Sequence, residues 1–236
     1  MKPLLIIKTG RTLREVPPAR GDFEHWIAQC MELDQRECHT CEVSAGERLP
    51  HAAAVSGVVI TGSAAMVSDR LPWSEATADW LRGACDRVPV LGICYGHQLL
   101  AHALGGVVDY HPQGREIGTT WVQPADSARG DALFAGIESR FPVHVTHQQS
   151  VLSLPRGAVV LAANDFEPHH AVRFRERAWG VQFHPEFDAE VMRAYLQARA
   201  VQLEAEGFDL AELHAAVQET PESRAVLQNF ARLLTR

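Results

Sequence analysis

The chain has 236 residues, 46% of them hydrophobic, which is enough for one full-sized core and forces no second domain. A formal net charge of −7 argues against a basic nucleic-acid surface and for a small-molecule or protein partner. The twelve histidines are scattered singly except for His169-His170 and form no HExxH or His-rich tract, so no metal and no cofactor is expected.

The first segment, Met1-Lys2-Pro3-Leu4-Leu5-Ile6-Ile7-Lys8, has four consecutive apolar residues before a lysine. That is too few for a signal sequence or a membrane span, and it reads as the first strand of a cytoplasmic protein. The cysteines, at 30, 38, 41, 85 and 94, are odd in number, so free thiols are expected rather than a disulfide framework. Cys38-His39-Thr40-Cys41 is a lone CxxC on a stretch that reads as a strand. There positions i and i+3 face opposite ways, a poor arrangement for one metal or one disulfide.

A Pro-, Arg- and Gly-rich loop runs from Thr9 to Gly21, and Asp22 can cap a helix over residues 23–29. Strands are expected at Cys38 to Val43 and Ala54 to Ser63, and a helix capped by Ser74 runs through Trp80 and Leu81 to Asp86. Val88 to Ile93 is the next strand, and Gln98 to Gly105 the next helix. This order predicts an α/β fold: a mostly parallel central sheet flanked by helices on both faces, with reactive loops at the carboxyl ends of the strands. Gly62 and Cys94 both fall at such ends.

From Gly106 to Arg175, short apolar segments alternate with turns and read as β-rich structure, partly antiparallel. Trp179 to Phe183 is a further strand that delivers His184-Pro185-Glu186. From Asp188 onward the pattern is helical, broken at Glu206-Gly207 and at Thr220-Pro221. Its apolar positions, among them Val191, Tyr195, Leu203, Val226 and Phe230, are expected to cover the domain's own sheet rather than a partner.

Chemistry is concentrated at Gly92-Ile93-Cys94-Tyr95-Gly96, which has the G-x-C-x-G form of a nucleophile elbow. The glycines let the backbone turn sharply and hold Cys94 strained and exposed, while the following helix start favours a thiolate. Acyl transfer by a thiolate also needs a base, a group that orients the base, and donors for the oxyanion. His184 and Glu186 fit the middle two roles, since residues i and i+2 of an extended segment point the same way.

The elbow, continued by His97-Gln98 and followed ninety residues later by Val181-Gln182-Phe183-His184-Pro185-Glu186, resembles the class I glutamine amidotransferase family. The resemblance implies a flavodoxin-like fold and one amidotransferase domain over residues 1–236, with a catalytic core to 187 and a helical extension over 188–236. It implies hydrolysis of the glutamine side-chain amide through a glutamyl thioester. By the same resemblance Cys94 is the nucleophile, His184 the general base and acid, and Glu186 its orienter. The backbone N–H groups of Tyr95 and Gly62 form the oxyanion hole, and Gln98, His147 and Gln148 meet the substrate.

The segment Thr61-Gly62-Ser63, followed by Val67 to Trp73, looks like the stand-alone branch near the glutaminase part of GMP synthase, which includes γ-glutamyl peptide hydrolases. No Ser-Gly-Gly-x-Asp-Ser loop and no Walker motif occurs, so ATP-dependent chemistry belongs to another chain or to none. Three alternatives stay open: the glutaminase subunit of a two-chain synthase, a peptidase of the DJ-1 type, and a non-catalytic glutamine-binding or regulatory subunit. The late His-Pro-Glu disfavours the peptidase, and the intact Cys94, His184 and Glu186 disfavour the regulator. The expectation is an enzyme that works without a synthase on at least one γ-glutamyl compound.

Overall fold

Every residue of β1 (Leu4–Lys8) is buried, and its side chains alternate between two cores: Leu4 and Ile6 join one apolar cluster, Leu5 and Ile7 another. A strand that is apolar on both faces needs helices on both sides of its sheet. The computed structural model, which describes residues 2–234, has that layered arrangement. Met1, in the expected first strand, and residues 235 and 236, in the expected tail, lie outside the described residues. Full burial of each Leu or Ile side chain contributes roughly 1.5–3 kcal/mol.

The remaining strands are β2 (Cys38–Glu42), β3 (Gly57–Ile60), β4 (Val90–Ile93), β5 (Val107–Tyr110), β6 (Glu116–Pro124), β7 (Phe141–His147), β8 (Gln149–Ser153), β9 (Val159–Ala163), β10 (Ala171–Arg175) and β11 (Ala178–Val181). Together with β1, eight of them form one nine-stranded sheet in the order β2-β1-β3-β4-β11-β10-β9-β6-β7, and β5 pairs with β8 in a separate ribbon. Pairing is parallel from β2 across to β11 and antiparallel from β11 to β7. The mostly parallel half and the antiparallel middle both match the sequence pattern. Cys38 packs toward one core and Cys41 toward the other, as the alternation along β2 requires.

Helix α1 (Phe23–Cys30) is capped by Asp22, whose carboxylate accepts from Phe23 N–H at 2.8 Å. Helix α2 (Pro72–Ala84) begins earlier than expected, and Ser74 is not its cap. Pro72 occupies the first turn, where its missing N–H costs nothing, so the helix starts without a side-chain cap. Ser74 is instead fully buried, with Oγ 2.6 Å from the Tyr95 hydroxyl. Helix α3 (Tyr95–Ala103) also starts earlier than Gln98, directly after Cys94.

The tail forms α4 (Ala189–Ala198), α5 (Ala200–Ala205), α6 (Leu210–Ala216) and α7 (Pro221–Leu233). Val191, Tyr195, Leu203, Val226 and Phe230 are buried in the core that also holds Leu4 and Ile6. Asn229 Nδ2 donates to the carbonyls of Leu133 and Ala135 at 3.0 and 2.9 Å, which fixes α7 against the loop before β7. Among the described residues no helix is long and apolar enough to cross a membrane, and no group of three or more His, Cys, Asp or Glu could hold a metal.

Candidate active site

The adjacent parallel strands β4 and β11 pair Gly92 with Gly180 and Ile93 with Val181, so their carboxyl ends lie side by side. Cys94 follows the first directly, and His184 follows the second by three residues. Cys94 has φ 50° and ψ −103°, a conformation that costs on the order of 1–3 kcal/mol for a non-glycine residue. Its N–H donates to Val181 O at 2.8 Å, and its carbonyl accepts from Gln98 N–H at 3.1 Å, which holds the turn from both sides. The flanking glycines permit close backbone approach. A Cβ on Gly92 would lie 2.4 Å from Gly96 O, and one on Gly96 would lie 2.5 Å from Ile60 O.

Cys94 is less open than the exposed elbow expected from sequence: it is only 6% exposed. Its access to solvent is through a cavity of about 180 Å³, which Cys94 lines together with Ser63, Tyr95, Gln98, His147 and Gln148. Cys94 Sγ also lies 4.0 Å from Thr146 O.

His184 Nδ1 lies 2.7 Å from Glu186 Oε1, and both side chains are buried. Phe187 stacks on the imidazole with ring centroids 4.2 Å apart and planes at 20°, while Phe23 lies roughly parallel to it at 6.2 Å. Asp188 then caps α4 by accepting from Val191 N–H at 2.8 Å, so the segment bearing His184 and Glu186 is anchored at both ends. Burial alone would lower the His184 pKa, but the Glu186 carboxylate and the neighbouring Cys94 raise it to about 10. His184 Nε2 has no other partner among the described residues and is the atom left to interact with Cys94.

The other expected residues are placed as follows. Tyr95 is the first residue of α3, so its N–H belongs to the unpaired set of the first helical turn. Its phenol is carried away from the cavity to Ser74, and burial raises its pKa to about 12. Gly62 contacts the back of the site: a Cβ there would lie 2.9 Å from His184 Cε1. The neighbouring Ser63, not Gly62, lines the cavity. Gln98 Nε2 donates to Gln149 O at 2.7 Å and to Gln182 Oε1 at 3.0 Å. His147 is held between Gln149 O at 3.0 Å and Glu116 Oε2 at 2.9 Å, and Gln148 is half-buried on the cavity wall.

Cys94 thus lines the cavity with the first amide of α3 beside it, and the buried His184–Glu186 pair stands next to it without lining that cavity. A comparison with the model of the glutamine amidotransferase class-I family matches residues 19–203. The chain belongs to that family.

The amidotransferase chain is 38% identical over 171 residues to the glutamine-hydrolyzing GMP synthase of Porphyromonas gingivalis, an alignment covering 70% of this chain and 32% of that protein. It therefore spans about a third of the length of that relative. A glutamine amidotransferase from Methylobacillus flagellatus has a TM-score of 0.78 at 25% identity, covering 100% of this chain and 96% of the other. A glutamine amidotransferase from Thermotoga maritima shares the fold, with a TM-score of 0.76 at 22% identity over 98% and 96% of the two chains.

Four residues at or beside this amidotransferase cavity carry no local signal in the sequence. Arg115 and Arg199 line it, from the start of β6 and from the junction of α4 and α5. Glu116 is nearly buried, and its pKa is lowered: burial opposes this, but His147 and His170 lie within 2.9 and 3.3 Å of Oε2. His144 accompanies His184, since His144 O accepts from His184 N–H at 2.8 Å. Burial and the His184 charge push the His144 pKa down to about 4. Only its place on a buried strand beside the Thr146-His147 segment could have pointed to His144.

Proposed function

We propose that this chain hydrolyses the side-chain amide of glutamine, or a γ-glutamyl amide, through a thioester on Cys94. The observation that carries the reading is the pairing of a strained Cys94 elbow with the His184–Glu186 hydrogen bond at the ends of two adjacent strands. Cys94 Sγ attacks the δ-carbonyl carbon, and the carbonyl π electrons move onto oxygen. That oxygen meets the backbone N–H of Tyr95 and of the Gly62–Ser63 turn. His184 Nε2 gives its proton to the leaving nitrogen as the C–N bond breaks. Water then attacks the thioester, His184 takes its proton, and the C–S bond breaks to return the thiolate and glutamate. Glu186 holds the imidazole orientation and balances its charge throughout. Gln98, His147 and Gln148 contribute to the substrate wall.

In this reading the chain is a single amidotransferase domain whose extension over 188–236 completes the core, and its free cysteines suit the cytoplasm. No cofactor enters the reaction. The burial of the tail's apolar positions supports a self-sufficient hydrolase. The likeness to GMP synthase over about a third of that protein supports a second reading, in which ammonia passes to an ATP-using synthase in trans. Assaying glutamate release from glutamine and γ-glutamyl dipeptides by the purified chain separates the two. Measurable turnover supports self-sufficiency, whereas silence relieved by a synthase-bearing extract supports the second.

A further inference from the structure

Arg199 lines the Cys94 cavity from the C-terminal extension. Its Nε is buried without a hydrogen-bond partner, and among the described residues its guanidinium makes no ion pair. Arg115 on the same wall is different: its Nε and Nη2 lie 2.8 and 3.2 Å from the two carboxylate oxygens of Glu206. Glu206 also accepts from Gln202 Nε2 at 2.9 Å, so its capacity is largely used. Among the described residues no Asp or Glu lines the cavity. Desolvation and the like charge of Arg115 both lower the Arg199 pKa, and Tyr195, Cys94 and Glu206 offset them only in part.

A part-buried guanidinium without a partner is costly, and the group that best satisfies it is a planar carboxylate accepting two parallel N–H bonds. Glutamine and γ-glutamyl peptides carry such a group a few bonds from the scissile amide. Given the hydrolase reading above, we propose that Arg199 is a specificity-determining residue that receives a substrate carboxylate, so that the enzyme selects γ-glutamyl compounds bearing that carboxylate over the corresponding amides.

The test compares the full-length chain with Arg199→Gln and Arg199→Lys, each checked for an unchanged melting temperature. Substrates are glutamine, its α-carboxamide, γ-glutamylglycine and γ-glutamylglycinamide. Arg199→Gln is expected to raise KM at least tenfold for the carboxylate-bearing member of one pair. Its kcat should change less than threefold, the amide member of that pair should be unaffected, and Arg199→Lys should recover part of the loss. The glutamine pair responding identifies the α-carboxylate, and only the dipeptide pair responding identifies the carboxylate of the leaving amine. Equal loss on the two members of both pairs, or no loss in either pair, overturns the proposal.

A second readout does not depend on turnover: the ratio of Cys94 alkylation rates by iodoacetate and by iodoacetamide. Removing a carboxylate-binding cation should lower that ratio at least fivefold. If Arg199 merely supports the thiolate, both rates fall together, the ratio stays constant, and the proposal fails. Absence of turnover in the unmodified chain counts against the hydrolase reading alone, and the alkylation ratio then decides the role of Arg199.

Discussion

His184 Nδ1 lies 2.7 Å from Glu186 Oε1, with only Pro185 between the two residues in sequence. The pair is buried, so Glu186 offers its charge to the imidazole without competition from water. Replacing Glu186 by Gln keeps an acceptor for the imidazole N–H but removes that charge. Glu186→Gln is expected to lower kcat by about 10- to 100-fold, and His184→Ala by about a thousandfold or more, within the range of general acid–base catalysis. Steady-state kinetics check the order; equal losses contradict the division of roles.

Gly62 packs against the other side of the same ring, where a Cβ would lie 2.9 Å from His184 Cε1. Gly62→Ala must therefore shift the imidazole or the strand end that carries it. The expected result is a loss of about tenfold or more in kcat with a destabilisation of about 1–3 kcal/mol, as in other overpacked sites. Activity and denaturant unfolding measured together test it, and a fully active variant would show that the ring has room to spare.

Protonation of His184 couples the site to stability. Its pKa rises from an ordinary 6.5 to about 10 in the folded chain, burial being outweighed by Glu186 and Cys94. The stability this contributes is fully present below about pH 6.5 and is lost as the pH rises through about 10. The melting-temperature gap between the unmodified chain and His184→Gln should accordingly narrow between those limits. A gap that stays flat contradicts the protonated imidazole.

His97 behaves in the opposite sense. Its ring is fully buried, and burial, followed by the nearby histidines, outweighs a backbone contact with Gly180 and pushes its pKa down to about 3. As the pH falls below about 6.5 the unfolded chain takes up a proton that the folded chain refuses, so stability declines toward pH 3. His97→Phe, which keeps an aromatic ring beside Phe174, should reduce this acid lability in pH-dependent melting curves. An unchanged acid slope would locate the lability elsewhere.

Much of the fold was legible because its determinants are local. The two-faced apolar β1, the Asp22 cap, the glycines around Cys94 and the i, i+2 relation of His184 and Glu186 each act within a few residues. The errors came from competition between local signals. Ser74 has capping chemistry, but Pro72 begins the helix first and leaves Ser74 to pair with Tyr95. Gly62 meets a second demand that is not local in sequence: its missing side chain also makes room for the His184 ring, while Ser63 faces the cavity. Arg199 was silent in sequence because its meaning depends on Arg115, more than eighty residues away, being already paired with Glu206.

The central claim is that Cys94 is the one nucleophile of this chain toward γ-glutamyl carbonyls. Burial pushes the thiols of Cys30 and Cys38 up to about 11 and that of Cys85 to about 12, and Cys41 is raised as well. Incubation with a diazoketone analogue of glutamine, followed by intact-mass measurement and peptide mapping, tests the claim directly. The predicted result is one adduct per chain on the peptide carrying Cys94, suppressed by excess glutamine and absent in Cys94→Ala. Labelling of any other cysteine in preference to Cys94, or an adduct that persists in Cys94→Ala, would contradict it.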